Sequence, residues 1–199
     1  MAKVQYNLTK VQVKKKRVKM DHVRREEAVF AGGCFWCMEP IFDKLQGVIS
    51  VISGYTGGSF PNPSYEEVCQ GNTGHLEAVK IVYDPNEITY DKLLEVFWHN
   101  IDPLDPYGQF CDKGEQYKAA IFYGNDEQKM LAKKSKDAME LLLRGKAIYT
   151  QIRPLDIFYS AEDYHQRFYK TNPVHYKSYR SCCRRDERLK ELWGDTQIN

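Results

Sequence analysis

The sequence contains no run of eighteen or more apolar residues, so no transmembrane helix is expected. No apolar stretch follows the charged N-terminus in the manner of a secretory leader, and the reading is a cytoplasmic protein. There is a single Cys-x-x-Cys, Cys34 to Cys37. No second one exists, and no histidine stands at finger spacing from it, which argues against structural zinc. Internal repeats and low-complexity segments are absent apart from a basic stretch at the start. Six cysteines without a leader make a disulfide framework the weaker expectation, and redox chemistry the stronger one.

The chain has 199 residues, 42% hydrophobic and 13% aromatic, with 14 tyrosines. That suffices for one folded domain with tails. The formal net charge of +2 conceals an asymmetry. Residues 1–25 carry nine lysines and arginines against Asp21 alone, and the rest is net acidic. Such an arm could hold nucleic acid or anionic lipid. It nearly lacks aromatics for base stacking and is attached to an acidic body, so it reads as a solvated extension. The expected organisation is a flexible basic arm over 1–25, a catalytic domain over 26–180, and a tail over 181–199 with Cys182 and Cys183.

Ala28–Ala31 followed by Gly32–Gly33 reads as a buried strand. Cys37, Ile41 and Leu45, with Met38 and Phe42 beside them, form one helix face. Pro40 implies either a start near Cys37 or Met38, or a distorted earlier start. Val48–Ile52 reads as a strand, 54–63 as a turn-rich loop, and Ser64 with Glu67 as a capping box. A strand over 76–83 and a helix over 89–100 follow. A long loop over 102–116 is expected to be functional. Beyond it come a strand over 117–124, a helix over 125–145 and a strand over 147–154. Ser160 reads as the start of a helix covering 162–170. This order predicts an α/β (α+β) two-layer sandwich, a mixed, ferredoxin-like sheet with packed helices.

The densest chemistry lies in Gly32-Gly33-Cys34-Phe35-Trp36-Cys37-Met38-Glu39. A cysteine between a strand and a helix start meets free amides that stabilise its thiolate, and a Cys-x-x-Cys arrangement does the same. Cys34 at the bend suits a nucleophile. Cys37, on the apolar helix face, suits a buried thiol equally well.

Ala31-Gly32-Gly33-Cys34-Phe35-Trp36 resembles the signature of the type A peptide methionine sulfoxide reductases. The resemblance continues through Ser53–Gly58, Asn62–Val68, Gly71–Val79, Asp112–Tyr117 and Ala161–Gln166, covering roughly 28–180. It implies an enzyme that reduces methionine S-sulfoxide, free or in proteins, with thioredoxin or another dithiol as reductant and no metal or organic cofactor. It assigns Cys34 as nucleophile, Glu77 as proton donor, and Tyr65 and Tyr117 as holders of the sulfoxide oxygen. Asp112 is their support, and Phe35 and Trp36 are an apolar wall for the substrate methyl. The chemistry agrees with these roles. Attack on a sulfoxide sulfur becomes feasible when the oxygen is protonated as it leaves, so the acid must be neutral and the oxygen must be held.

The attack leaves a sulfenic acid that a second thiol must resolve. Cys37 is nearest in sequence and is the expected resolving residue, with Cys182 and Cys183 as alternatives. Adjacent cysteines are too close to pair readily with each other. Cys69 and Cys111 read as inert buried thiols, and His165 as structural or exposed. A monomer with no nucleic-acid or membrane partner is expected. The rival readings are a general thiol–disulfide oxidoreductase and a metal- or nucleic-acid-binding module.

Overall fold

Residues 24–194 are described by the computed structural model. The basic arm lies outside them except for Arg24 and Arg25; Arg24 pairs with Glu26 at 2.8 Å.

The chain opens with β1 (Glu26–Ala31), turns through Gly32–Gly33 into α1 (Phe35–Asp43), and returns along β2 (Val48–Thr56). A short α2 (Tyr65–Cys69), β3 (Leu76–Tyr83) and α3 (Tyr90–His99) follow. The small hairpin β4 (Gly108–Gln109) and β5 (Asp112–Lys113) leads through a 3₁₀ turn at Glu115–Tyr117 to β6 (Ala120–Tyr123). Next come α4 (Asp126–Leu142), β7 (Gln151–Pro154) and β8 (Phe158–Ser160). The chain ends in α5 (Phe168–Thr171), α6 (Pro173–Cys182) and α7 (Arg185–Trp193). No helix among the described residues is long and apolar enough to cross a membrane.

Six strands form one mixed sheet in the order β7-β6-β1-β3-β2-β8. Only β6 and β7 pair in parallel, as their connection through α4 permits. Alternation sorts the side chains. Ala28 and Phe30 of β1, with Val79, Ile81 and Tyr83 of β3, enter a large core beneath α1 and α3. Val29, Ala31, Leu76 and Ala78 face the other way, under Leu155 and Phe158. Glu77 therefore points to the helix-covered face, at the end of the row Val79–Ile81–Tyr83.

Four local readings are corrected. β2 runs on through Gly54–Thr56, where a loop was expected, because this stretch pairs on both edges, with β3 and with β8. Gly54 serves close approach, since an added Cβ would lie 2.2 Å from the Tyr159 carbonyl oxygen. Of the two starts left open for α1 the earlier one is found, at Phe35, with Cys34 as its N-cap and Pro40 inside it. The 102–116 loop holds the β4–β5 hairpin and the start of the 3₁₀ turn.

The expected helix over 162–170 is instead a 3₁₀ turn at Asp163–His165 and a left-handed residue, Arg167, before α5. Side-chain bonds compete with helix here. The Gln166 amide takes the Ser53 N–H and donates to the Ser53 and Ala161 carbonyls, while the Arg167 amide donates to Glu39 at 2.9 Å. Helix α6 closes the expected domain, where no element was expected, and α7 lies in the expected tail. Arg188 of α7 bonds Asp102 at 2.7 Å.

Candidate active site

The bend between β1 and α1 is shaped by Gly33, which has φ +81 and whose added Cβ would lie 2.6 Å from the Gln109 side chain. A side chain there would be strained and would collide. Gln109 is buried and braces Asp102 through its amide, fixing the β4–β5 hairpin beneath the bend. Cys34 then starts α1 with Phe35 and Trp36 on the first turn.

Glu77 is 2% exposed, and its carboxylate accepts the Phe35 amide at 3.0 Å. Burial pushes its pKa up to about 8 against that hydrogen bond, so it is mostly protonated at neutral pH. The Cys34 and Cys37 side chains hydrogen-bond each other. Burial, the bond to Cys37 and the Glu77 charge push Cys34 up. The bond from Cys34, and then the Arg185 and Arg180 charges, hold Cys37 down at about 7 against burial. The two thiols share one readily lost proton. Cys34 is 6% exposed and Cys37 1%, so Cys34 is the sulfur nearer to solvent.

The structure brings most of the named residues around this pair. The capping box, with the Ser64 amide 2.8 Å from Glu67, seats Tyr65 at the start of α2. Tyr65 hydrogen-bonds Cys69 and feels the Glu77 charge; Tyr117 feels Glu77, Asp112 and Cys34. Burial raises both phenols, so each keeps its proton to donate. Trp36 stacks on Phe168 with ring centroids 3.8 Å apart and donates its indole N–H to His165 Nδ1 at 3.1 Å. His165 is buried, its pKa lowered by that burial, and it orients the tryptophan as a neutral ring.

Asp112 meets a third tyrosine instead of Tyr65 or Tyr117. Tyr179 of α6 donates to it at 2.6 Å and lies within hydrogen-bonding reach of the Cys34 sulfur. Burial raises Asp112 against the Tyr179 bond and the Arg185 charge.

The cysteine pairing corrects two expectations. Cys111 is exposed, not buried, and forms a disulfide with Cys183. Cys34, Cys37, Cys69 and Cys182 are free, and Cys182 is exposed. Cys183 thus joins neither Cys34 nor Cys182.

Tyr55, Glu162, Tyr179 and Arg185 went unnamed in the sequence reading. Glu162 accepts Tyr55 Oη and the Tyr65 amide, each at 2.8 Å. Burial opposes its ionisation, but these bonds hold it below the usual carboxylate range. Tyr55 and Glu162 lie inside runs that carried the resemblance, a signal that was available. Tyr179 and Arg185 lie beyond those runs and had none.

A buried dithiol beside a neutral carboxylic acid, at a strand-to-helix bend of an α/β fold, defines a thiol-dependent oxidoreductase. The family model described as peptide methionine sulfoxide reductase matches residues 26–197, and the chain belongs to that family. It is 52% identical over 169 residues to peptide methionine sulfoxide reductase MsrA of Streptococcus agalactiae serotype III (strain NEM316), covering 84% of this chain and 99% of that one. The MsrA of Bacillus subtilis (strain 168) is also 52% identical, over 172 residues, 86% of this chain and 97% of that one. The reduced form of Mxr1 from Saccharomyces cerevisiae superposes with a TM-score of 0.72 at 32% identity, covering 80% of this chain and 92% of that one.

Proposed function

We propose that the enzyme reduces methionine S-sulfoxide, free or in proteins, to methionine, with Cys34 as nucleophile and Glu77 as proton donor. The observation that carries this reading is Glu77: a carboxyl neutral near pH 7, inside a protein, at the nucleophile's own bend. Cys34 attacks the sulfoxide sulfur, its proton passing to the Cys37 thiolate to which it is hydrogen-bonded, while Glu77 gives its proton to the oxygen. A bond from Cys34 to that sulfur forms as the sulfur–oxygen bond breaks. The oxygen, freed as hydroxide, then bonds to the Cys34 sulfur as the sulfur–sulfur bond breaks, so methionine leaves and Cys34 becomes a sulfenic acid. The sulfoxide sulfur has gained the two electrons that Cys34 lost. Tyr65 and Tyr117 donate to the oxygen as its charge grows, Asp112 holds Tyr179 within reach of Cys34, and Phe35 with Trp36 receives the methyl group. A wall on one side and donors on another fix the handedness at sulfur.

Cys37 then attacks the sulfenic acid, forming a Cys34–Cys37 disulfide and releasing water. The bond between the two thiol side chains supports this step. Cys182, exposed and free, and Cys183, paired with Cys111, are the less favoured resolving residues. A dithiol such as thioredoxin reduces the disulfide. The chemistry requires no metal or organic cofactor. We read the protein as a cytoplasmic monomer, and its core β1-α1-β2-β3-α3-β6, with strands in the order β6-β1-β3-β2, as ferredoxin-like.

Incubation with separate S and R epimers of methionine sulfoxide and excess dithiothreitol tests the reading. Methionine should form from the S epimer only. Disulfide reduction without any methionine would replace the reading with a general thiol–disulfide oxidoreductase.

A further inference from the structure

Arg185, the first residue of α7, is 1% exposed. Its Nη2 donates to the Asn100 carbonyl at 2.6 Å and the Gly32 carbonyl at 3.2 Å, and it lies 3.0 Å from Met38 Sδ. Its guanidinium carbon sits 4.4 Å from the centre of the Phe110 ring. Its Nε is buried without a partner. Among the described residues no carboxylate accepts a hydrogen bond from it. A guanidinium keeps its proton in any protein interior, so this is a buried positive charge held by neutral acceptors. Burying a charge unopposed is strongly unfavourable, and its stable presence implies an anion nearby.

Every charged or titratable group facing this corner can be named. Cys34 and Cys37 come from the start of α1, Glu77 from β3, Asp112 from β5 and Tyr117 from the turn after it; Tyr176, Tyr179 and Arg180 come from α6, and burial keeps the Tyr176 phenol protonated. Arg180 is occupied by Asp186. The Asp112 carboxylate is taken by Tyr179. Glu77 accepts from Phe35 on the far side of the bend. The Tyr179 bond, from a neutral phenol, does not cancel the Asp112 charge, which lies in the Arg185 field, so the dithiol is the second source of negative charge and the one that redox chemistry removes. The Gly32 carbonyl that Arg185 holds belongs to the peptide leading into Gly33 and Cys34, so the same side chain also fixes the bend.

We infer that Arg185 is the positioning residue that supplies the counter-charge to the Cys34–Cys37 thiolate and anchors the bend carrying it. The inference rests on the thiolate mechanism above and adds a consequence for turnover. A disulfide carries no charge, so oxidation of the pair removes one of the two counter-charges of Arg185, and reduction by an outside dithiol restores it. Arg185 thus favours the reduced state, as a stabilised thiolate makes a disulfide more oxidising.

The test uses full-length wild type, Arg185→Gln and Arg185→Lys, with two readouts that involve no sulfoxide. The first is the pH dependence of iodoacetamide labelling at Cys34 and Cys37 in the reduced protein, mapped by mass spectrometry. The second is the equilibrium of the Cys34–Cys37 disulfide against a dithiothreitol redox buffer. Wild type should label with a midpoint near neutrality. Arg185→Gln should raise the midpoint by about one unit and make the disulfide about tenfold harder to reduce. Arg185→Lys should stay close to wild type in both.

A wild-type midpoint at the ordinary thiol value of about 8.5 overturns the proposal even if the glutamine variant does not fold. So does a lysine variant displaced as far as the glutamine one, because charge would then not be the cause. A low midpoint in a protein that leaves methionine sulfoxide untouched would overturn the functional reading and leave this assignment standing.

Discussion

The two halves of the site are built by different means. The half carried by β1, α1 and β3 rests on the sheet. Phe30, Phe35, Glu77 and Val79 are at most 2% exposed, and Cys34 and Glu77 are set by backbone register and one amide bond. The half carried by α6 and α7 reaches the site through a few long-range ties. They include the Cys111–Cys183 disulfide, the Tyr179–Asp112 bond, the Arg185 contacts and the Arg188–Asp102 pair. The proposed nucleophile and acid, whose separation must be held closely, come from the sheet-borne part. The tail contributes charge, an aromatic cover over Trp36 and a covalent tether. Chemistry and its electrostatic setting are therefore separable by mutation.

The largest effect should come from Cys34→Ser. It should abolish methionine formation while leaving circular dichroism unchanged, and near-normal turnover would move the nucleophile elsewhere. Glu77→Gln should lower kcat by about 10²–10⁴-fold with a much smaller change in KM. Its pH profile sharpens the point. In wild type the rate should rise as the dithiol loses its proton near 7 and fall as Glu77 loses its own near 8. The glutamine variant should lose the falling limb.

Stability should follow the same carboxyl. Glu77 binds its proton more tightly folded than unfolded, so its contribution is complete below the ordinary carboxylate range and fades as pH rises through about 8. Thermal melts of wild type should decline from pH 5 to 8. Glu77→Gln should decline less and keep a remainder from Glu39, which burial raises to about 7.

In the other half, Cys111→Ser should cost about 4 kcal/mol in urea unfolding of the oxidised protein, as a 72-residue closure implies. Reductant should erase the difference, and the rate of a single turnover should change little. A loss of single-turnover rate comparable to that of Glu77→Gln would end the division of labour. The smallest effect should be that of Ser64→Ala, about 1 kcal/mol from the lost cap, with a modest rise in KM as Tyr65 loosens.

The sheet-borne half was legible because its patterns are local. β1 and β3 alternate, Ser64 and Glu67 stand at capping distance, and Gly33 marks the bend. Period alone left Glu77 undecided between core and solvent; β3 is central in the sheet, with the helix-covered core on one face and Leu155 and Phe158 on the other, and that settles it. The second half was not legible. Arg167 adopts a left-handed conformation because Glu39 takes its amide and Gln166 clamps Ser53, contacts more than 100 residues apart. Nothing around Cys111 announces a partner 72 residues on, and α6 buries no side chain that would give it an apolar stripe. Long-range ties leave little trace in a local pattern.

The division of labour is tested most directly by one single-turnover experiment. Fully reduced protein is mixed with one equivalent of methionine S-sulfoxide in the absence of reductant, quenched with acid and alkylating agent, and mapped by peptide mass spectrometry. One methionine per protein should appear together with a Cys34–Cys37 disulfide, formed inside the sheet-borne half. Cys34 joined to Cys182 or Cys183, with Cys37 still free, would place the resolving step in the tail and contradict the account.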